Sequence, residues 1–127
     1  MRRLLLDTHV ALWALGAPET LRRTVRALLE DPRTTVNVSA ASVWEVGIKR
    51  ALGKLESPPD FAAVCIERGF DPLPIAFDHA ELAGELPRHH ADPFDRMLIA
   101  QAITEDLELV TQDRAFESYD VRVLLAK

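Results

Sequence analysis

This sequence is short of cysteine, of long apolar runs and of positive charge. Its single cysteine, Cys65, has no partner within the chain. An internal disulfide is therefore excluded, and a small disulfide scaffold with it. No cysteine or histidine falls at zinc-ligand spacing. No apolar run approaches the roughly 20 residues needed to cross a bilayer. The apolar part of Met-Arg-Arg-Leu-Leu-Leu-Asp at the start is too short for a signal sequence, so a cytoplasmic location is the expectation. Basic residues are outnumbered, with 15 Lys and Arg against 20 Asp and Glu, for a formal net charge of -5. That excludes a surface that attracts nucleic acid everywhere. It leaves room for a phosphate-bearing substrate, because acids loaded with divalent cations reverse the local field.

What is present is a globular composition. Of 127 residues, 48% are hydrophobic and 28% charged, which fits one domain over 1–127 with a real core. Arg2–Leu6 reads as a buried strand ending at Asp7. Helices are expected at Thr8–Leu15, Pro18–Glu30 and Ala40–Leu52, from Pro58 to Arg68, at Phe77–Leu86 and from Asp92 to Asp106. Strands are expected at Thr34–Val38, Asp71–Ile75 (an edge, given its two prolines), Leu107–Thr111 and Val121–Leu125. Within Ala40–Leu52, the residues Val43, Trp44, Gly47, Ile48 and Ala51 form one apolar face, expected to pack inward. Strands alternate with helices, so the fold class is α/β with a mainly parallel sheet.

The stretch Asp92-Pro93-Phe94-Asp95-Arg96-Met97-Leu98-Ile99 organises the site. Asp92 suits an N-cap, because its side chain can accept from unpaired amides of the first turn. Pro93 suits the first helical position, where no amide proton is needed. Asp95 then lies in the first turn, at the positive end of the helix dipole. Taken alone, this is capping chemistry. Three further acids occupy comparable places. Asp7 ends the first strand, Asp113 follows the Leu107–Thr111 strand, and Glu45 lies in the helix after the second strand. In open α/β sheets, ligands bind beyond the carboxyl ends of the strands. Four carboxylates from distant segments are thus expected to converge at one edge. Clustered carboxylates resist ionising together, and a cation removes the conflict. Oxygen-only donors suit Mg2+ or Mn2+ rather than zinc. Two such ions can activate a water and stabilise a leaving alkoxide.

Each acid also has a structural explanation of its own. Asp7 can cap the helix at Thr8, Glu45 can pair with Lys49 one turn on, and Asp113 can form a turn before Arg114.

The segments Leu5-Leu6-Asp7-Thr8-His9-Val10-Ala11-Leu12-Trp13, Ser39-Ala40-Ala41-Ser42-Val43-Trp44-Glu45-Val46-Gly47-Ile48-Lys49, His90-Ala91-Asp92-Pro93-Phe94-Asp95-Arg96-Met97-Leu98-Ile99-Ala100-Gln101-Ala102 and Leu109-Val110-Thr111-Gln112-Asp113 resemble the PIN-domain ribonucleases. Within these, the chain is similar to VapC-type toxins of bacterial toxin–antitoxin pairs. The resemblance implies a PIN-like three-layer α/β/α sandwich and Mg2+- or Mn2+-dependent endonucleolytic cleavage of RNA. It also implies inhibition by a cognate antitoxin, and a homodimer. By position, Asp7, Glu45 and Asp95 match the three core metal-site acids and Asp113 the fourth. Thr8 and Thr111 match supporting hydroxyls.

Other residues carry less. His9 reads as a packing residue at a helix start. His89 and His90 read as loop, since adjacent residues rarely point the same way. Trp13 and Trp44 read as core. Arg22, Arg23 and Arg26 read as a solvated face. Arg96 and Arg114 stand beside the acids and are the better candidates for holding phosphate. The helices Thr8–Leu15 and Pro18–Glu30 have apolar residues enough to form an antitoxin groove. Two other functions fit the α/β pattern. A receiver-like phosphotransfer domain wants an acid pair near the first strand and a late lysine, and neither is here. A non-catalytic binding module would tolerate losing the acids, and all four are kept.

Overall fold

The computed structural model describes residues 2–127. Five strands, β1 (Arg3–Leu6), β2 (Thr35–Ser39), β3 (Asp71–Leu73), β4 (Glu108–Thr111) and β5 (Val123–Leu125), form one sheet. Its order is β3-β2-β1-β4-β5, and every pairing is parallel. Helices α1 (Thr8–Gly16), α2 (Arg23–Glu30), α3 (Ala40–Ala51), α4 (Phe61–Glu67), α5 (Phe77–Glu85) and α6 (Pro93–Glu105) connect them.

The alternation of side chains along a strand divides the helices between the two faces. Leu4 and Leu6 of β1 point into one apolar cluster, with Val10, Val25, Phe61 and Cys65 of the helices above. Leu5 points into the other, with Ala83, Leu98, Ile99 and Phe116. The result is the expected three-layer α/β/α sandwich. All three leucines have no exposed surface, and each such burial contributes roughly 1.5–3 kcal/mol. Arg3 carries the strand's polar start, held by the carbonyls of Glu105 and Asp106.

The chain runs from β1 to β2 to β3 in one direction, then returns to lay β4 on the other side of β1. The strand order therefore reverses between β1 and β4. At such a switch point the connections diverge and leave a crevice at the carboxyl ends. Asp7 follows β1 there, and Gln112-Asp113 follow β4.

Two expectations change. The helix expected over Pro18–Glu30 is split into a 3-10 turn at Pro18–Thr20 and α2 from Arg23. Leu21 and Arg22 are extended between them. The break lets Leu21 enter the core and lets the Arg22 amide donate to Ala126 O (2.7 Å), just past β5. The second change concerns α3. Its buried residues are Ala41, Ser42, Glu45 and Val46, while Val43, Trp44 and Ile48 face outward. The face expected inside is outside, because the helix turns its acid toward the sheet edge. Trp44 is 63% exposed and meets Phe94 edge-on at 5.2 Å between ring centres, whereas Trp13 does pack against the core. β3 is an edge strand, as expected, but it ends at Leu73, so Pro72 alone of the two prolines lies within it.

Candidate metal centre at the carboxyl edge of the sheet

Asp7 is buried, with 8% of its surface exposed, and its two oxygens have separate tasks. Oδ1 caps α1 by accepting from the Val10 amide at 2.9 Å. Oδ2 accepts from the Thr111 hydroxyl across the switch point. Thr111 Oγ1 in turn accepts from the Asp113 amide at 3.1 Å, so β1 and β4 are tied at their ends. Burial pushes the Asp7 carboxyl above its ordinary value of 3.8, and the Thr111 and Val10 hydrogen bonds oppose that.

Glu45 is equally enclosed. Thr8 donates to its Oε1 at 2.5 Å, and Thr8 Oγ1 also lies 2.9 Å from Ser42 Oγ. Lys49, one turn on, pairs with Oε2. Ser39, not Ser42, caps α3 through the Ala41 amide at 3.0 Å. Ser42 is thereby free to face Thr8. The Lys49 ammonium is held above its ordinary value by Glu45, and the charges of Asp92 and Asp95 add to the shift.

Asp92 caps α6, with Oδ1 accepting from Phe94 N (2.8 Å) and Asp95 N (3.1 Å). Such a cap contributes about 1 kcal/mol. Asp95 is left to face the crevice. Its carboxyl is pushed up to about 7, chiefly by burial and then by Asp92; His90 opposes this, while Glu45 and Asp7 add to it. A carboxyl that feels Asp7, Glu45 and Asp92 together stands in a shared field of acids. Asp113 lies nearer solvent. Its Oδ1 caps the 3-10 turn Arg114–Ser118 through Ala115 N at 2.9 Å, and its Oδ2 accepts from His90 Nε2 at 3.0 Å. His90 Nε2 is also 3.0 Å from Asp95 Oδ2.

Asp7, Glu45, Asp95 and Asp113 thus all lie around the β1–β4 crevice, each with a structural partner as well. The ligand atoms of His90, Asp95 and Asp113 lie within 4.8 Å of one another. Asp7 and Glu45 stand outside that tight group and reach Asp95 through charge.

A family model described as "PIN domain" matches residues 4–122. The chain belongs to the PIN-domain family. It is 40% identical over 62 residues to Ribonuclease VapC16 of Mycobacterium tuberculosis; the match spans 46% of this chain and 43% of that protein. The chain therefore aligns with less than half the length of this curated relative. Among solved structures, it is similar to VapBC2 from Rickettsia felis bound to a promoter DNA fragment. There the TM-score is 0.73 at 15% identity, over 98% of this chain and 99% of the other. It is also similar to Mycobacterium tuberculosis VapC20, a Sarcin-Ricin loop cleaving toxin. That match has a TM-score of 0.64 at 19% identity, over 93% and 95% of the two chains.

In this PIN domain the acids fit a hard divalent cation. The donors are carboxylate oxygens, and burial among like charges has pushed Asp95 up to about 7, a conflict that a cation relieves. Two sequence readings are corrected. Arg96 is not free to hold phosphate. Its guanidinium donates to the carbonyls of Ala83, Leu86, Pro87 and His90 at 2.8–3.3 Å, so it pins the turn before α6. His90 is not idle loop, since it bridges two of the acids. Its spacing, two residues before an N-cap aspartate, was the available signal; only the folded turn aims its ring. His9 is exposed, 6.1 Å from the Trp13 ring.

Proposed function

We propose that this PIN domain, occupying 1–127, is an endoribonuclease and the toxin of a type II toxin–antitoxin pair. It hydrolyses RNA phosphodiesters with Mg2+ or Mn2+ held by Asp7, Glu45, Asp95 and Asp113. One observation carries the reading: Asp95, in the first turn of α6, is grouped with Asp113 around His90 Nε2, 3.0 Å from each, and feels the charges of Asp92, Glu45 and Asp7. Capping does not need that, because Asp92 already caps the helix. The cations, when bound, supply activation of a water and neutralisation of the leaving alkoxide.

The chain's own groups position the acids. Thr111 orients Asp7 from the neighbouring strand. Thr8 and Lys49 fix the two oxygens of Glu45. The rigid start of α6 presents Asp95, and Asp113 reaches in from the most solvent-exposed side. No side chain is needed as a covalent nucleophile. The partners that go with this reading are an RNA substrate, a cognate antitoxin seated against α1 and α2, and a second copy in a homodimer, all in the cytoplasm. No described helix is long and apolar enough to cross a membrane.

The test is cleavage of a mixed RNA pool by purified protein with Mg2+, Mn2+ or EDTA, beside Asp95→Asn. Metal-dependent cuts absent from the variant are expected. Equal cleavage by both proteins would overturn the assignment of Asp95.

A further inference from the structure

His90 is held with unusual care for a loop residue. Its amide donates to the Tyr119 hydroxyl at 2.8 Å, and that hydroxyl donates to Pro87 O at 2.7 Å. Its carbonyl accepts from Arg96. Its ring meets Phe116 edge-on at 5.6 Å. Its Nδ1 accepts from the Asp92 amide at 3.2 Å.

That last bond fixes the chemistry of the other nitrogen. An Nδ1 that accepts carries no proton, so Nε2 carries one. Nε2–H is then a donor, placed 3.0 Å from both Asp95 Oδ2 and Asp113 Oδ2. A metal-ligating imidazole nitrogen needs its lone pair free. Here the Asp92 amide would have to face an Nδ1 proton for Nε2 to ligate, placing donor against donor. His90 is therefore built to donate to the acids and not to join them as a ligand.

A cation held by these two carboxylates would need the oxygens that the Nε2 proton now engages. The two cannot share those oxygens. A cavity of about 470 Å³ lined by Leu86, Arg88, His90, Pro93, Arg96 and Met97 lies beside this turn.

We propose that His90 is a built-in competitor for the cation: its Nε2–H holds Asp95 and Asp113 in the cation's place and must yield when a cation binds. This rests on the reading of Asp95 and Asp113 as cation-binding acids. Bonds from N–H to carboxylate are charge-assisted and among the stronger ones. Removing them should tighten cation binding by about tenfold. A ligand, by contrast, would weaken binding when lost.

The experiment is calorimetric titration of Mn2+ into the protein and into His90→Ala, after dialysis against EDTA, with circular dichroism of both. Tighter binding to the variant is the expected result. Unchanged or weaker binding to a folded variant overturns the competitor role while leaving the acid site standing. No binding to either protein overturns the site itself, and this proposal with it. Should His90→Ala not fold, imidazole 15N spectra of the unmodified protein decide. The His90 signal should belong to the Nε2–H form and keep that form as Mg2+ is added, while its Nε2–H resonance shifts. A switch to the Nδ1–H form on adding Mg2+ would make His90 a ligand and refute the proposal, as would spectra that Mg2+ leaves unmoved.

Discussion

Two histidines in this chain each meet two carboxylates, with opposite results. His79, on α5, is 2% exposed. Its Nδ1 accepts from the Ala76 amide at 3.0 Å, and its Nε2 lies 2.8 Å from Glu105 Oε2 on α6. Its second acid, Asp78, stands 4.0 Å away with its side chain 65% exposed. His79 thus joins two helices by one good bond, and the spare acid, mostly in water, accepts only from the His79 amide at 2.9 Å. His90 has the same ring chemistry, with Nδ1 accepting from a backbone amide. But its Nε2 lies between two acids at equal distance, and one of them is crowded by Asp92, Glu45 and Asp7. Residue types do not separate the two clusters. Their position in the fold does: one lies between neighbouring helices, the other where strand order reverses and several acids meet.

The largest effect should come from breaking the crowded cluster. Asp95→Asn is expected to lower RNA cleavage by roughly 100-fold or more with the fold intact, read from initial rates beside circular dichroism. Glu105→Gln, the matching change in the helix-joining cluster, should leave the rate within about twofold. Stability should respond the other way round. His79→Ala leaves the Ala76 amide without its partner and opens space between α5 and α6. A loss of roughly 1–3 kcal/mol in urea unfolding is expected, with Mn2+ binding unaltered.

A pH series sharpens the contrast further. Asp95 moves from an ordinary value of 3.8 to about 7 on folding, so the folded chain keeps a proton that the unfolded chain releases. Its contribution to stability is full below about pH 4 and is lost as pH rises through about 7. Burial shifts Asp7 in the same direction. In EDTA, urea midpoints should therefore fall across that window, and Asp95→Asn should flatten much of the slope. A slope unchanged by this substitution would place the source elsewhere. The smallest change is expected from Asp78→Asn, because the side chain is mostly in water, 4.0 Å from the His79 ring, and an Asn oxygen can still accept from the His79 amide. Its unfolding free energy should match the parent's to within about 0.5 kcal/mol.

Much of the fold was legible from local pattern. The apolar run Leu4–Leu6 must be a strand buried on both faces. Asp92-Pro93 fixes the start of α6 because a cap and a missing amide proton both belong there. The candidate acids were legible too, since each ends a strand or enters a helix that follows one. The apolar stripe of α3 misled, because periodicity reports which residues share a face and not which way that face turns. Here Glu45, Ser42 and the sheet edge took the inner side. Arg96 misled for a related reason. A guanidinium beside acids suggests phosphate, yet four backbone carbonyls of the turn at 83–90 lie closer to it.

The sequence by itself determined the α/β class and the caps of α1 and α6, and it offered four acids as candidates, because caps and apolar periodicity act over a few residues. Only the tertiary structure decided the hand-to-hand link from Asp7 through Thr111 to Asp113, the outward turn of Trp44, and the aim of His90 between two carboxylates. Those depend on strands 104 residues apart in the chain lying side by side, and on a turn shaped by Arg96 and Tyr119. No local rule reaches that far, because burial and charge are set by whatever the fold brings next to each group.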